Sequence, residues 1–221
     1  MKPLLVLFLL AALPLSAAQP YHLELEANPA AAFPYLSRFG KVELHVYAGG
    51  VRAEALGLDG ISKNGADAVT VANPIVRTYG NVRLSEIAAM LRKLAGRDGS
   101  VERAAIPTLG PAMRGKVRGI DATRHRLVFG PQAWIDLWTT SVVPENPQFR
   151  RISDQLLEGI SPGTAAVARK IRGTPVYVEL NFRRFKKVPL LTMKKLTMSA
   201  DDEREALELG PFYVLTPSQW F

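Results

Sequence analysis

The sequence predicts a mainly β protein of the α+β kind: a curved antiparallel sheet, half-barrel-like, packed on two or three helices. Three observations carry this reading. Apolar and polar residues alternate with period two in many short runs, and Gly, Pro and Asn punctuate those runs. Helical spacing of apolar residues occurs in only a few windows.

In the first half the alternating runs are His22 to Glu26, Lys41 to Tyr47, Val51 to Leu58, Ala68 to Ala72 and Ile75 to Tyr79. Their short connections suggest a meander. A helix follows, with Ser85 as N-cap, Glu86 in the first turn, and Ile87, Met90, Leu91 and Leu94 at helical spacing. Arg92 and Lys93 suit the negative end of its dipole, and Gly96 stops it. Its apolar stripe is expected to lie on the sheet. Residues 97 to 115 show no period and read as a loop.

Strands return with Ile120 to Phe129, a Gly130-Pro131 turn and Ala133 to Thr140, which together read as a hairpin. Alternation puts Trp134 and Trp138 on one face with Asp136 between them, and Ile135 and Leu137 on the other, core side. Paired aromatics around a carboxylate form a sugar platform or the rim of an apolar cavity; equally, they cover a sheet face.

Gln148 to Ile160 is a second helix, with Phe149, Ile152, Leu156 and Ile160 on one stripe. Thr164 caps a short third, Ala165 to Ile171, which Gly173 ends before Pro175. Val176, Val178, Leu180 and Phe182 then alternate with Tyr177, Glu179, Asn181 and Arg183. The apolar set is expected on the concave, helix-covered side and the polar set on the outer side. Arg183, Arg184, Phe185, Lys186 and Lys187 form or flank the turn from which Leu190 to Met198 returns.

Residues 1–18 read as a cleaved signal peptide. Lys2 supplies the positive n-region, Leu4 to Ala12 the apolar run, and Ser16, Ala17 and Ala18 the small residues before a mature N-terminus at Gln19. An apolar run of about ten residues is too short for a hydrocarbon core that needs about twenty. No Cys stands near the cut to carry acyl chains, so the expected product is periplasmic or secreted, with no lipid anchor and no membrane-spanning helix. Residues 19–221 are then one β-rich domain. With no Cys there is no disulfide, and no Asn sits in a glycosylation acceptor, which favours a bacterial periplasm.

The formal net charge of +8 is uneven: Arg150 to Lys195 hold eleven Lys and Arg against Asp154, Glu158 and Glu179. Outside the cytoplasm nucleic acid is scarce, so a basic face there meets anionic headgroups or an acidic envelope protein; otherwise it is a solvated strand face. Arg183, Arg184, Lys186 and Lys187 are the candidate anion or partner contacts.

Enzyme chemistry finds little footing. G-x-S-x-G, S-x-x-K and cysteine are all missing, and the glycine pairs do not open a phosphate-binding helix. His22, His45 and His125 lie in strand-like runs with no H-x-x-x-H pair. A metal site is therefore not expected and would have to be assembled wholly by the fold. No catalytic residue, cofactor or metal is assigned.

The second half carries a resemblance. A hairpin with an I-D-L-W-T segment (residues 135–139), an amphipathic helical insert, Gly173-Thr174-Pro175 leading into a long strand, a returning strand, and Leu209-Gly210-Pro211-Phe212 before Pro217 follow one another. Over roughly residues 115–217 this resembles the lipoprotein-carrier half-barrel and the outer-membrane lipoprotein-sorting-like periplasmic proteins. The resemblance implies a sheet curved over helices whose apolar concave face shields a lipid. The expected function is thus binding of a lipid or other apolar small molecule by Val178, Leu180, Phe182, Trp134 and Trp138. The alternative is a non-catalytic interaction module of an envelope complex, with an uncharacterised hydrolase the remotest reading.

Overall fold

The computed structural model describes residues 19–28, 40–96, 106–183, 187–198, 203–211 and 213–215. The signal-peptide reading concerns residues 1–18 and lies outside them. Along the chain run β1 (Tyr21–Ala27), β2 (Gly40–Tyr47), β3 (Gly50–Ala55), β4 (Leu58–Lys63), β5 (Ala68–Asn73), β6 (Thr78–Arg83) and helix α1 (Leu84–Gly96). Next come β7 (Thr108–Leu109), β8 (Met113–Val117), β9 (Ile120–Val128), β10 (Ala133–Thr140), helices α2 (Pro147–Ile160) and α3 (Pro162–Ala168), β11 (Thr174–Phe182) and β12 (Val188–Met198). The short α4 (Glu203–Ala206) and β13 (Val214–Leu215) complete the order.

All thirteen described strands join one open sheet, β13-β6-β5-β4-β3-β2-β1-β12-β11-β10-β9-β7, with β8 also paired to β9. The protein is mainly β with helices packed on the sheet, as the alternation predicts. Among the described residues only β13 on β6 is parallel; β1 joins the two halves by pairing antiparallel with both β2 and β12.

The main core forms where these halves meet. Tyr21, Leu23 and Leu25 are buried opposite Val46, Leu44 and Val42, and Met193, Val176 and the α2 residues Phe149 and Ile152 pack on them. Each such side chain, fully buried, contributes about 1.5–3 kcal/mol. A second cluster of Leu127, Val167 and Ile171 seats α3 on β9 and β10, and a third of Tyr47, Ile61 and Leu207 seats the C-terminal segment.

Helix α2 starts where its sequence signals meet. Asn146 accepts from the backbone N–H groups of Gln148 and Phe149, and Pro147 occupies the first turn, where a missing N–H costs nothing. Gln148 is itself buried: it donates to Ser62 Oγ and the Ala66 carbonyl and accepts from Gly65 N, tying α2 to the β4–β5 turn.

Several expectations are corrected. Helix α1 begins at Leu84, so Ser85 is inside it; Glu86 accepts instead from Arg83 N, the reciprocal half of a capping box. Among the described residues this helix packs more on α2 than on the sheet, burying Leu84 and Ala88 while Met90 is exposed. Helix α3 begins at Pro162, not after Thr164, whose hydroxyl pairs with that of Ser161. Strand β4 is hidden in the sequence by its Asp59-Gly60 pair, which reads as a turn; Arg52 Nη2 donates to Asp59 Oδ2 at 2.7 Å and satisfies the carboxylate within the sheet. Ile75 to Arg77 are turn rather than strand, and part of the expected loop holds β7 and β8.

Candidate functional site

Antiparallel neighbours run in opposite directions, so β1, β3, β5, β9 and β11 all point the same way. The turns that follow them therefore lie at the same end of their strands, spread along the sheet, with the β5–β6 turn six strand positions from the β11–β12 hairpin. There Leu56 is 58% exposed in the β3–β4 turn, Ile75 84% and Val76 60% in the β5–β6 turn, and Phe182 37% where β11 ends. Leu56 has φ +56° and precedes Gly57 at +75°, a left-handed pair suited to a two-residue hairpin turn. A leucine there costs about 1 kcal/mol relative to Gly or Asn, and no burial offsets it.

Of the four basic candidates, Arg183 and Lys187 lie exposed at this same end. Arg184 and Lys186 fall outside the described residues. Lys187 Nζ sits 3.9 Å from Glu179 Oε1 but its side chain is three-quarters exposed, a screened contact worth little.

The five residues expected to bind an apolar ligand do not converge. Val178 stands opposite Leu137 and Leu180 opposite Ile135, and Ile135 and Leu137 pack on the α3 cluster, so these two share the helix side. Both are only half-buried. Trp134 and Trp138 stand opposite Asn181 and Tyr177 on the other face. Trp138 is no open platform: a Cβ added at Gly115 of β8 would lie 2.8 Å from its ring, so that hairpin lies directly against it.

The polar side of β11, expected outward and solvated, is in part the more buried one. Asn181 is 2% exposed and Glu179 9%. Cross-strand pairing decides this, because Glu179 lies opposite Asp136, which Arg126 neutralises. Tyr177 donates to Glu179 Oε2 at 2.7 Å; burial first, then this bond, push its hydroxyl up to about 12. Asp136 raises the Arg126 guanidinium further above its ordinary value.

On the helix side the described residues line a half-open pocket of about 60 Å³, with Leu137, Phe149, Leu157 and Ile171 alongside the charged Glu145, Arg150 and Asp154. Ligand pockets run to about 300–1,000 Å³. A larger surface cleft of about 620 Å³ lies beside Asp67, Arg83, Arg151 and Gln155, and Arg151 is held by Asp67 and the Gly65 carbonyl.

No family model matches the chain, and no curated protein matches it. It is similar to an uncharacterized conserved protein from Thermus thermophilus, with a TM-score of 0.47 and 8% identity over 90% of each chain. Among the described residues no helix is long and apolar enough to cross a membrane. Sequence reasoning marks the basic hairpin but misses the apolar tips. Alternation places Leu56 in a strand that runs on to Leu58, and Ile75 and Val76 in another; the adjacent Gly57 and Asn73-Pro74 are the turn signals that could have found them.

Proposed function

We propose that this chain is an exported cell-envelope protein, non-catalytic in role, that docks reversibly on an anionic lipid surface through the turn end of its sheet. The observation that supports the reading is that the exposed apolar tips Leu56, Ile75, Val76 and Phe182 and the exposed cations Arg183 and Lys187 all follow strands that run in the same direction. Apolar side chains sink to the headgroup–acyl boundary while Lys and Arg remain among the headgroups, each cation adding about 1 kcal/mol near an anionic surface. A few contacts of each kind support salt-sensitive, reversible adsorption.

Co-sedimentation with vesicles tests it, using phosphatidylglycerol mixed with phosphatidylethanolamine against phosphatidylcholine alone, at low and high salt. The chain is expected on the anionic vesicles only, and salt should release it. Ile75→Ser with Val76→Ser should lower partitioning by about tenfold or more with an unchanged thermal midpoint. Absence of binding to anionic vesicles at low salt, or full binding by that variant, overturns the proposal. A lipid held in one-to-one ratio in native mass spectra would instead support the enclosed apolar-ligand reading drawn from the sequence.

A further inference from the structure

Alternation along β1 turns Tyr21, Leu23 and Leu25 into the core, so His22, Glu24 and Glu26 face the opposite side. Register then sets what meets there: His22 stands directly opposite His45 of β2, and Glu24 opposite Glu43. The two imidazoles stack with centroids 4.3 Å apart and 8° between planes. Glu43 Oε2 lies 3.7 Å from His22 Nε2, and one donor atom from each of His22, Glu43 and His45 lies within 4.8 Å of the others. His22 Nε2 is buried, yet it has no hydrogen-bond partner among the described residues. A buried polar atom in that state calls for an explanation.

Carboxylates lie beside the two histidines. Glu54 of β3 lies opposite Glu43, and Asp59 of β4 opposite Glu54, so four carboxylates, Glu24, Glu43, Glu54 and Asp59, line up across neighbouring strands. Like charges directly opposite repel. Arg52 answers Glu54 and Asp59, and Lys41 answers Glu43.

We propose that His22, His45 and Glu43 bind a zinc-class divalent cation. Two imidazole nitrogens and a carboxylate oxygen are a donor set that zinc accepts, with water in a fourth position. Bonds of about 2.1 Å in a tetrahedron set donors about 3.4 Å apart. The 3.7 Å pair is already near that spacing, while the two imidazoles, now stacked, must unstack and turn their ring nitrogens toward a common point to take the ion. Glu54 Oε1, 4.0 Å from His45 Nε2 and held by Arg52, is placed to accept a hydrogen bond from the bound water. The ion would cross-link β1 to β2 on the sheet face opposite the main core.

Equilibrium dialysis of the untagged full chain against Zn²⁺ tests this, alongside thermal melts with and without the ion. One Zn²⁺ per chain and a raised thermal midpoint are expected. His45→Asn and Glu43→Gln should each weaken binding by about tenfold or more while the metal-free midpoints remain near that of the unmodified chain. Co²⁺ gives a second readout on the unmodified chain alone, since tetrahedral nitrogen and oxygen ligation produces strong visible absorption. Failure of the unmodified chain to retain Zn²⁺, octahedral Co²⁺ spectra, or undiminished uptake by His22→Asn with His45→Asn overturns the assignment.

Discussion

Arg126 of β9 grips Asp136 of β10 through two parallel hydrogen bonds, Nε to Oδ1 at 2.7 Å and Nη2 to Oδ2 at 2.8 Å. Asp136 is 5% exposed, its Oδ2 also accepts from Trp134 Nε1 at 3.3 Å, and the guanidinium lies 5.0 Å over the Trp134 ring. Arg126→Met should therefore destabilise the protein by about 2–4 kcal/mol, because it leaves a buried carboxylate without its cation. Arg126→Met combined with Asp136→Leu should recover part of the loss, since the buried Asp136 charge goes with its cation while Glu179 keeps only Tyr177 and the exposed Lys187. Urea unfolding of both variants decides it.

Gly159 of α2 is the contact point with α1. A Cβ there would stand 2.5 Å from the Ala88 carbonyl oxygen and 2.8 Å from its Cα, and backbone cannot swing aside as a side chain can. Alanine in a helix gains at most about 1 kcal/mol over glycine, whereas forced separation of packed elements costs about 1–3 kcal/mol. Gly159→Ala is expected to lower the thermal midpoint; a raised midpoint would show that the helices separate freely.

His125 adds a pH dependence. Its Nε2 lies 3.3 Å from Thr139 Oγ1, which donates to the Arg172 carbonyl, and burial holds the imidazole below its ordinary value of 6.5. The unfolded chain then binds more protons than the folded one as pH falls below 6.5, so stability present above that value declines with acidification. His125→Gln should flatten that part of the profile. Urea midpoints measured from above 6.5 down into the acid range, unmodified chain against variant, read the difference.

Leu56 links the proposed docking end to backbone conformation. Replacement by Asn, which tolerates the left-handed turn, should stabilise the chain by about 0.5–1 kcal/mol and weaken adsorption to anionic vesicles. Greater stability with undiminished adsorption would remove Leu56 from the docking surface.

Local pattern made much of the fold legible. Ala133–Thr140 is a strand at the bounds read from alternation, and Trp134 with Trp138 share the face opposite Ile135 and Leu137. Helix α2 was legible too, through its apolar stripe, although its cap at Asn146 and Pro147 stands just before the expected start. Strand β4 was not, because Asp59-Gly60 imitates a turn wherever Arg52 is out of view.

What the residues determine by themselves is local: which segments are extended, which are helical, and which side chains share a face, since these follow from the backbone repeat. Only the tertiary structure decided which strand lies beside which, because pairing is made by backbone groups that every residue carries. That choice set His22 against His45, with Glu43 at their side, although nothing near either histidine announces the other. It also placed Glu179 beside the Arg126–Asp136 pair, burying a polar face that alternation alone assigns to solvent.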